Sequence, residues 1–133
     1  MLEPNGPSVV LNPYDDAEEH WLGNKPGEMV KFFHVIGTEK TPSRYFEVGM
    51  YEIFPGERVP VHASEKGDEF AYVVKGSCLL LTENDTVVGE MQTGKVVYCP
   101  PRSMHGYWNH SSQPVELLVW STKEVDLTYG NHG

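Results

Sequence analysis

At 133 residues the chain has the length of one domain, enough to bury a real core and too short for two. With 19 Asp and Glu against 10 Lys and Arg, the formal net charge is −9 and the sequence pI is near 5.0. That balance argues against nucleic acid or an anionic membrane surface as partner. An anionic substrate stays open, because a bound metal ion reverses the field locally.

Glycine at 13 and proline at 10 suit a turn-rich β protein better than a helix bundle. The two cysteines, Cys78 and Cys99, lie in apolar runs and form no disulfide framework, which fits a reducing compartment. No basic region followed by an apolar one marks the N-terminus, and the apolar runs fall far below membrane-spanning length. A soluble cytoplasmic protein without a membrane partner is the expectation.

Residues 1–28 read as a proline-rich arm, with Ser8 to Leu11 able to pair as an edge strand. Asp15 to Trp21 has the acidic start and the length of one short helix. After turn chemistry at 23–27, the chain reads as strand almost throughout. Met29 to Ile36 ends at Gly37, and Tyr45 to Phe54 stops at Pro55-Gly56. Glu69 to Val74, Cys78 to Thr82 and Thr86 to Glu90 follow, then Val96 to Cys99, His105 to Asn109 and Val115 to Ser121. Turn signals recur every eight to twelve residues, the signature of a sandwich or small barrel. The expectation is one all-β domain over 1–133, with its barrel core at 44–121.

Two glycine-bounded stretches carry the chemistry. The first runs from Gly56 through His62, Ser64 and Glu69 to Gly76, and the second from Gly94 through Pro100, Arg102 and His105 to Asn109. Period-two alternation puts His62 and Ser64 on one face. It turns His105, Tyr107 and Asn109 inward and Gly106, Trp108 and His110 outward. Asp68, beside Glu69, should face the other way.

The stretches resemble the paired motifs of the cupin superfamily. In the first, Gly56, His62, Glu69 and Gly76 fall on the family's anchors in register; in the second, Gly94, Pro100, His105 and Asn109 do. The resemblance implies a double-stranded β-helix, a small jelly-roll barrel with a metal held inside. It also implies a homodimer, often formed by exchange of N-terminal strands. Two anchors differ. Ser64 stands where the family has a second histidine, and Arg102 where it has a glycine that eases a tight turn. The family's three-His, one-Glu set thereby becomes His62, Glu69 and His105. Arg102 reads as a loop change or a substrate-facing cation.

Two imidazoles and one carboxylate are the set used by non-haem Fe(II) oxygenases, and the same set could hold Mn, Ni, Co or Zn. Fe(II) and a mononuclear dioxygenase acting on a small organic substrate are the leading expectation. A redox-neutral lyase, decarboxylase or isomerase on a carboxylate or keto compound is the alternative, with Tyr107 or Glu69 moving the proton. A non-catalytic barrel binding a small ligand is the third reading. Tyr107 is either a packing aromatic or a donor in the cavity, and Cys99 a packing residue first and a cavity thiol second. Phe54, Tyr72, Tyr98 and Tyr107 suggest apolar pocket walls. Ser64, Arg102, Tyr72, Cys99 and His34 complete the candidate substrate pocket. His20, His34, His110 and His132 read as surface or packing residues, His34 being the one on a strand able to line the barrel.

Overall fold

The computed structural model describes residues 6–23 and 25–123. Ten strands follow in order: β1 (Glu18–Leu22), β2 (Val30–Ile36), β3 (Phe46–Ile53), β4 (Arg58–His62), β5 (Glu69–Lys75), β6 (Ser77–Thr82), β7 (Thr86–Gln92), β8 (Val96–Cys99), β9 (His105–Trp108) and β10 (Val115–Thr122). One 3-10 turn, Glu83–Asp85, separates β6 from β7, and no α-helix occurs among the described residues. No helix there is long and apolar enough to cross a membrane.

A six-stranded sheet in the order β1-β2-β3-β10-β5-β8 packs on a four-stranded one in the order β4-β9-β6-β7, and every pairing is antiparallel. From β3 onward the chain changes sheet at every connection but β6 to β7. This is the jelly-roll winding expected of a double-stranded β-helix. Strand alternation builds the core. In β5, Glu69, Ala71 and Val73 are buried while Tyr72 and Val74 are exposed, and in β10 Val115, Leu117 and Val119 point inward. Opposite them lie Val59 and Met91 of the smaller sheet, each such apolar side chain contributing about 1.5–3 kcal/mol on burial. Gly76, at φ +100°, makes the turn after β5, where an added Cβ would lie 2.9 Å from Val115 Cγ2.

The N-terminal segment departs from the sequence expectation twice. Ser8 to Leu11 joins no sheet, and Val10 is fully exposed. The acidic stretch from Asp15 is not a helix. Asn12 Oδ1 accepts the N–H groups of Tyr14 and Asp15, closing a local turn that competes with helix start. From Glu18 the backbone then pairs with β2, Glu18 opposite His34 and Leu22 opposite Val30. A long-range ladder thus overrides the local signal. Tyr14 also anchors this segment to the barrel, donating its phenol hydrogen to Glu116 and packing edge-on against Phe33.

Candidate metal centre

Two cross-strand pairs face each other between the sheets. In the smaller sheet His62, the last residue of β4, lies directly opposite His105, the first of β9. In the larger sheet Glu69, the first residue of β5, lies opposite Cys99, the last of β8. One donor atom from each of His62, Glu69 and His105 falls within 4.8 Å of the others.

The register that pairs the two histidines depends on an irregularity. Arg58 and Val59 pair with Trp108 and Tyr107, and continuing that ladder would set Val61 against His105. One extra residue on β4 between Val59 and His62 shifts the register, so His62 takes the place. Pro60 falls inside this bulge on an edge strand, where its missing N–H breaks no ladder. Gly106 supplies the room, since a Cβ there would lie 2.7 Å from the Val59 carbonyl oxygen.

Both rings are held by carbonyls two residues upstream. His62 Nδ1 lies 2.8 Å from Pro60 O, and His105 Nδ1 lies 2.9 Å from Ser103 O. A carbonyl only accepts, so each Nδ1 carries the hydrogen and donates it, and Nε2 is the atom left for a metal or a second proton. This outer support is typical of histidines that ligate metals. His105 Nε2 is shut off from solvent without a hydrogen-bond partner, although it lies 3.2 Å from Glu69 Oε2. An orphaned imidazole nitrogen beside a buried carboxylate is the donor arrangement a divalent cation fits.

Electrostatics tie the group together. Glu69 is 7 % exposed and His105 3 %. Burial disfavours the charged form of Glu69, yet the close His105 imidazole, the Tyr107 hydrogen bond and the nearby His62 outweigh it and hold the carboxyl below its usual pKa. For His105, burial favours the neutral ring, but Cys99, Glu69 and the Ser103 carbonyl push the pKa up to about 10. Tyr107, fully buried, donates to Glu69 Oε2 at 2.9 Å and has its Oη 3.7 Å from Cys99 Sγ. Burial and the adjacent Glu69 raise its pKa well above that of a free phenol, so it stays protonated.

The remaining expected residues divide between this centre and other places. Cys99 belongs to the centre. Ser64 lies just past β4, where its carbonyl accepts the Arg102 N–H at 2.7 Å and ties the two motif loops together. Arg102 is exposed at φ +66°, the left-handed conformation that a glycine at this motif position would adopt freely. Asn109 is a fully buried turn pin, its amide donating to Ile53 O and Gln113 O. Asp68 faces outward and accepts from the Tyr98 hydroxyl.

Tyr72 and Tyr98 do not wall a cavity at the centre. Both lie on the outer face of the larger sheet, 38 % and 65 % exposed, because Tyr72 is three positions on from the inward Glu69 and Tyr98 is next to the inward Cys99, odd offsets that turn a strand side chain to the other face. Tyr98 instead borders a shallow outer depression of about 170 Å³ with Phe70 and Trp120. His34 sits on β2 near Glu18, His20 and Glu47, apart from the His62 group. Sequence reading passed over Tyr51, buried with its ring 6.2 Å from Tyr107 and its pKa raised by burial and by Glu69. The inward phase of β3, shared with Ile53, was the signal available for it. His132 lies outside the described residues.

Comparison with known proteins gives this arrangement a family. Residues 49–121 match the family model described as Cupin domain. No curated protein matches the chain. Among solved structures, the chain is similar to a predicted oxalate decarboxylase from Thermotoga maritima, at TM-score 0.71 and 19 % identity over 86 % of this chain and 98 % of that one. It is also similar to the polyketide cyclase RemF from Streptomyces resistomycificus, at TM-score 0.70 and 20 % identity over 86 % and 80 % of the two chains. A sugar phosphate isomerase from Silicibacter pomeroyi aligns at TM-score 0.67 and 22 % identity, over 88 % and 76 %. At these identities the likeness is one of fold, and the three differ in chemistry. The family match spans His62, Glu69 and His105, and the protein is a member of the cupin family.

Proposed function

We propose that the protein is a mononuclear metal-dependent enzyme for a small organic substrate, in which His62, Glu69 and His105 hold one Fe(II) ion used for dioxygen chemistry. The observation that carries this reading is the meeting of two Nδ1-anchored imidazoles with one buried carboxylate. Fe(II) held by two imidazoles and one carboxylate keeps open positions at which substrate and dioxygen can be brought together. The chain's own residues do the rest. Tyr107 holds Glu69 in place through its hydroxyl, and the burial of Glu69, His105 and Tyr107 keeps bulk water out. His62 is only half-buried, so the approach for a substrate lies on its side of the group.

A second reading is favoured by one specific contact. The protonated Tyr107 hydroxyl, next to Glu69 and deep in the barrel, is a proton donor suited to a redox-neutral lyase, decarboxylase or isomerase.

Elemental analysis of protein purified without chelator or affinity metal, alongside His105→Ala, tests the centre. One equivalent of iron, lost in the variant, is expected, together with substrate-dependent oxygen consumption across a panel of small acids and ketones. Turnover that persists under strict anaerobiosis would move the assignment to the redox-neutral reading. No metal in either protein would leave a ligand-binding barrel.

A further inference from the structure

A second group of metal-type donors lies outside the barrel centre, on β1 and β2. Glu18 and His20 share one face of β1, and His34 lies directly across from Glu18 on β2. One donor atom from each of the three falls within 4.8 Å of the other two. His20 Nε2 is 3.7 Å from Glu18 Oε1, and the two imidazole rings are 6.5 Å apart, centre to centre.

His34 is the informative member. Its Nε2 is shut off from solvent and has no hydrogen-bond partner, and Glu47 Oε1 lies 3.5 Å from it. The Phe32 ring lies 5.7 Å from the His34 ring, centre to centre, and a Cβ at Gly37 would come within 3.1 Å of Nε2. A buried ring nitrogen without a hydrogen-bond partner is costly unless something binds it. Its companions in the group, Glu18 and His20, are each about half exposed and so can be reached from solvent. Contacts from His34 to Phe32, Phe32 to Tyr51 and Tyr51 to Tyr107 separate this group from the central one by a run of aromatic rings.

We infer that Glu18, His20 and His34 form a second divalent-metal site, of the two-imidazole, one-carboxylate type that takes zinc, cobalt, nickel or copper, with Glu47 beside it as an outer carboxylate. The site joins β1 to β2. Since β1 is the edge strand and, among the described residues, pairs with β2 alone, the bound ion fastens β1 to the sheet.

Zn2+ and Co2+ titrations of the full chain test this, with the central site removed by His62→Ala/His105→Ala. That background is expected to bind one equivalent, and adding the half-exposed His20→Ala to lower its affinity at least about tenfold, since even loss of an outer-shell partner costs about 10–100-fold. In the otherwise unaltered chain, His20→Ala is expected to remove one equivalent whether or not the central site takes metal. Zn2+ should also slow amide exchange in β1 in the unaltered chain and not in His20→Ala. A background variant that folds but binds no Zn2+ overturns the site. So does uptake by the unaltered chain that His20→Ala leaves the same.

Discussion

Tyr107 and Glu69, 38 residues apart in the chain, meet across the two sheets in a buried 2.9 Å hydrogen bond. The phenol is the donor, and the carboxylate it serves is also the partner of His105. Tyr107→Phe keeps the ring and deletes only this bond. Hydrogen bonds to charged groups contribute about 1.5–3 kcal/mol, so urea unfolding should show a loss of that size. The Glu69 pKa should rise, because one of the contacts holding it down is gone. If the hydroxyl also passes a proton in the reaction, turnover falls by about 10²–10⁴-fold with little change in KM.

Stability should peak in mildly acidic solution when no metal is added. Glu69, with its pKa lowered from 4.5, contributes above that value and loses its contribution as the pH falls through the folded-state pKa. His105, raised from 6.5 to about 10, contributes fully below 6.5 and loses its contribution as the pH rises toward 10. Both act together between about 4.5 and 6.5, and unfolding midpoints across pH 3–10 should be highest there. Metal competes with the proton on His105, so metal affinity should climb throughout the alkaline limb where the chelator-treated protein weakens.

Gly106 should be intolerant of even a methyl group. The 2.7 Å approach to the Val59 carbonyl leaves no space, so Gly106→Ala must push β4 away from β9 and move His62 off His105. A loss of about 1–3 kcal/mol is expected, and metal affinity should fall at least about tenfold. Gly89→Ala, on a strand with no atom near the added methyl, is the control and should stay within about 0.5 kcal/mol of the parent.

Arg102→Gly separates backbone strain from charge. At φ +66° the arginine occupies a conformation costing about 1–2 kcal/mol for an L residue, partly offset by the greater unfolded-state freedom of glycine. Stability should hold or rise by up to about 1 kcal/mol. If the guanidinium faces substrate, affinity for anionic substrates falls in the same variant, measured by titration calorimetry.

Most of the fold was legible because its signals are local. The strands from β5 to β10 follow alternation bounded by turn residues, and the two glycine-bounded motifs announce themselves by spacing. β1 was not legible, since Asp15-Asp16-Ala17-Glu18-Glu19 carries a helix-start signal and only the distant partner β2 makes it extended. Tyr72 and Tyr98 were assigned to the pocket by residue type, although counting from Glu69 and from Cys99 turns both outward. The closeness of Cys99 to Glu69, the outer support from Pro60 and Ser103, and the grouping of His34 with Glu18 and His20 all depend on pairings that one strand's sequence does not contain.

The extra residue on β4 makes chain length, rather than residue identity, the guardian of the centre. Removing one residue from positions 59–61 could turn the bulge into a regular ladder that still sets His62 against His105. If the turn at Gly56 keeps its place, an ordinary substitution there leaves the histidine in position, whereas keeping the bulge after a deletion would draw Ala63 into the slot opposite His105. Insertions in this short run, and deletions that keep the bulge, therefore act as ligand mutations, exchanging an imidazole for a hydrocarbon while every histidine in the sequence survives.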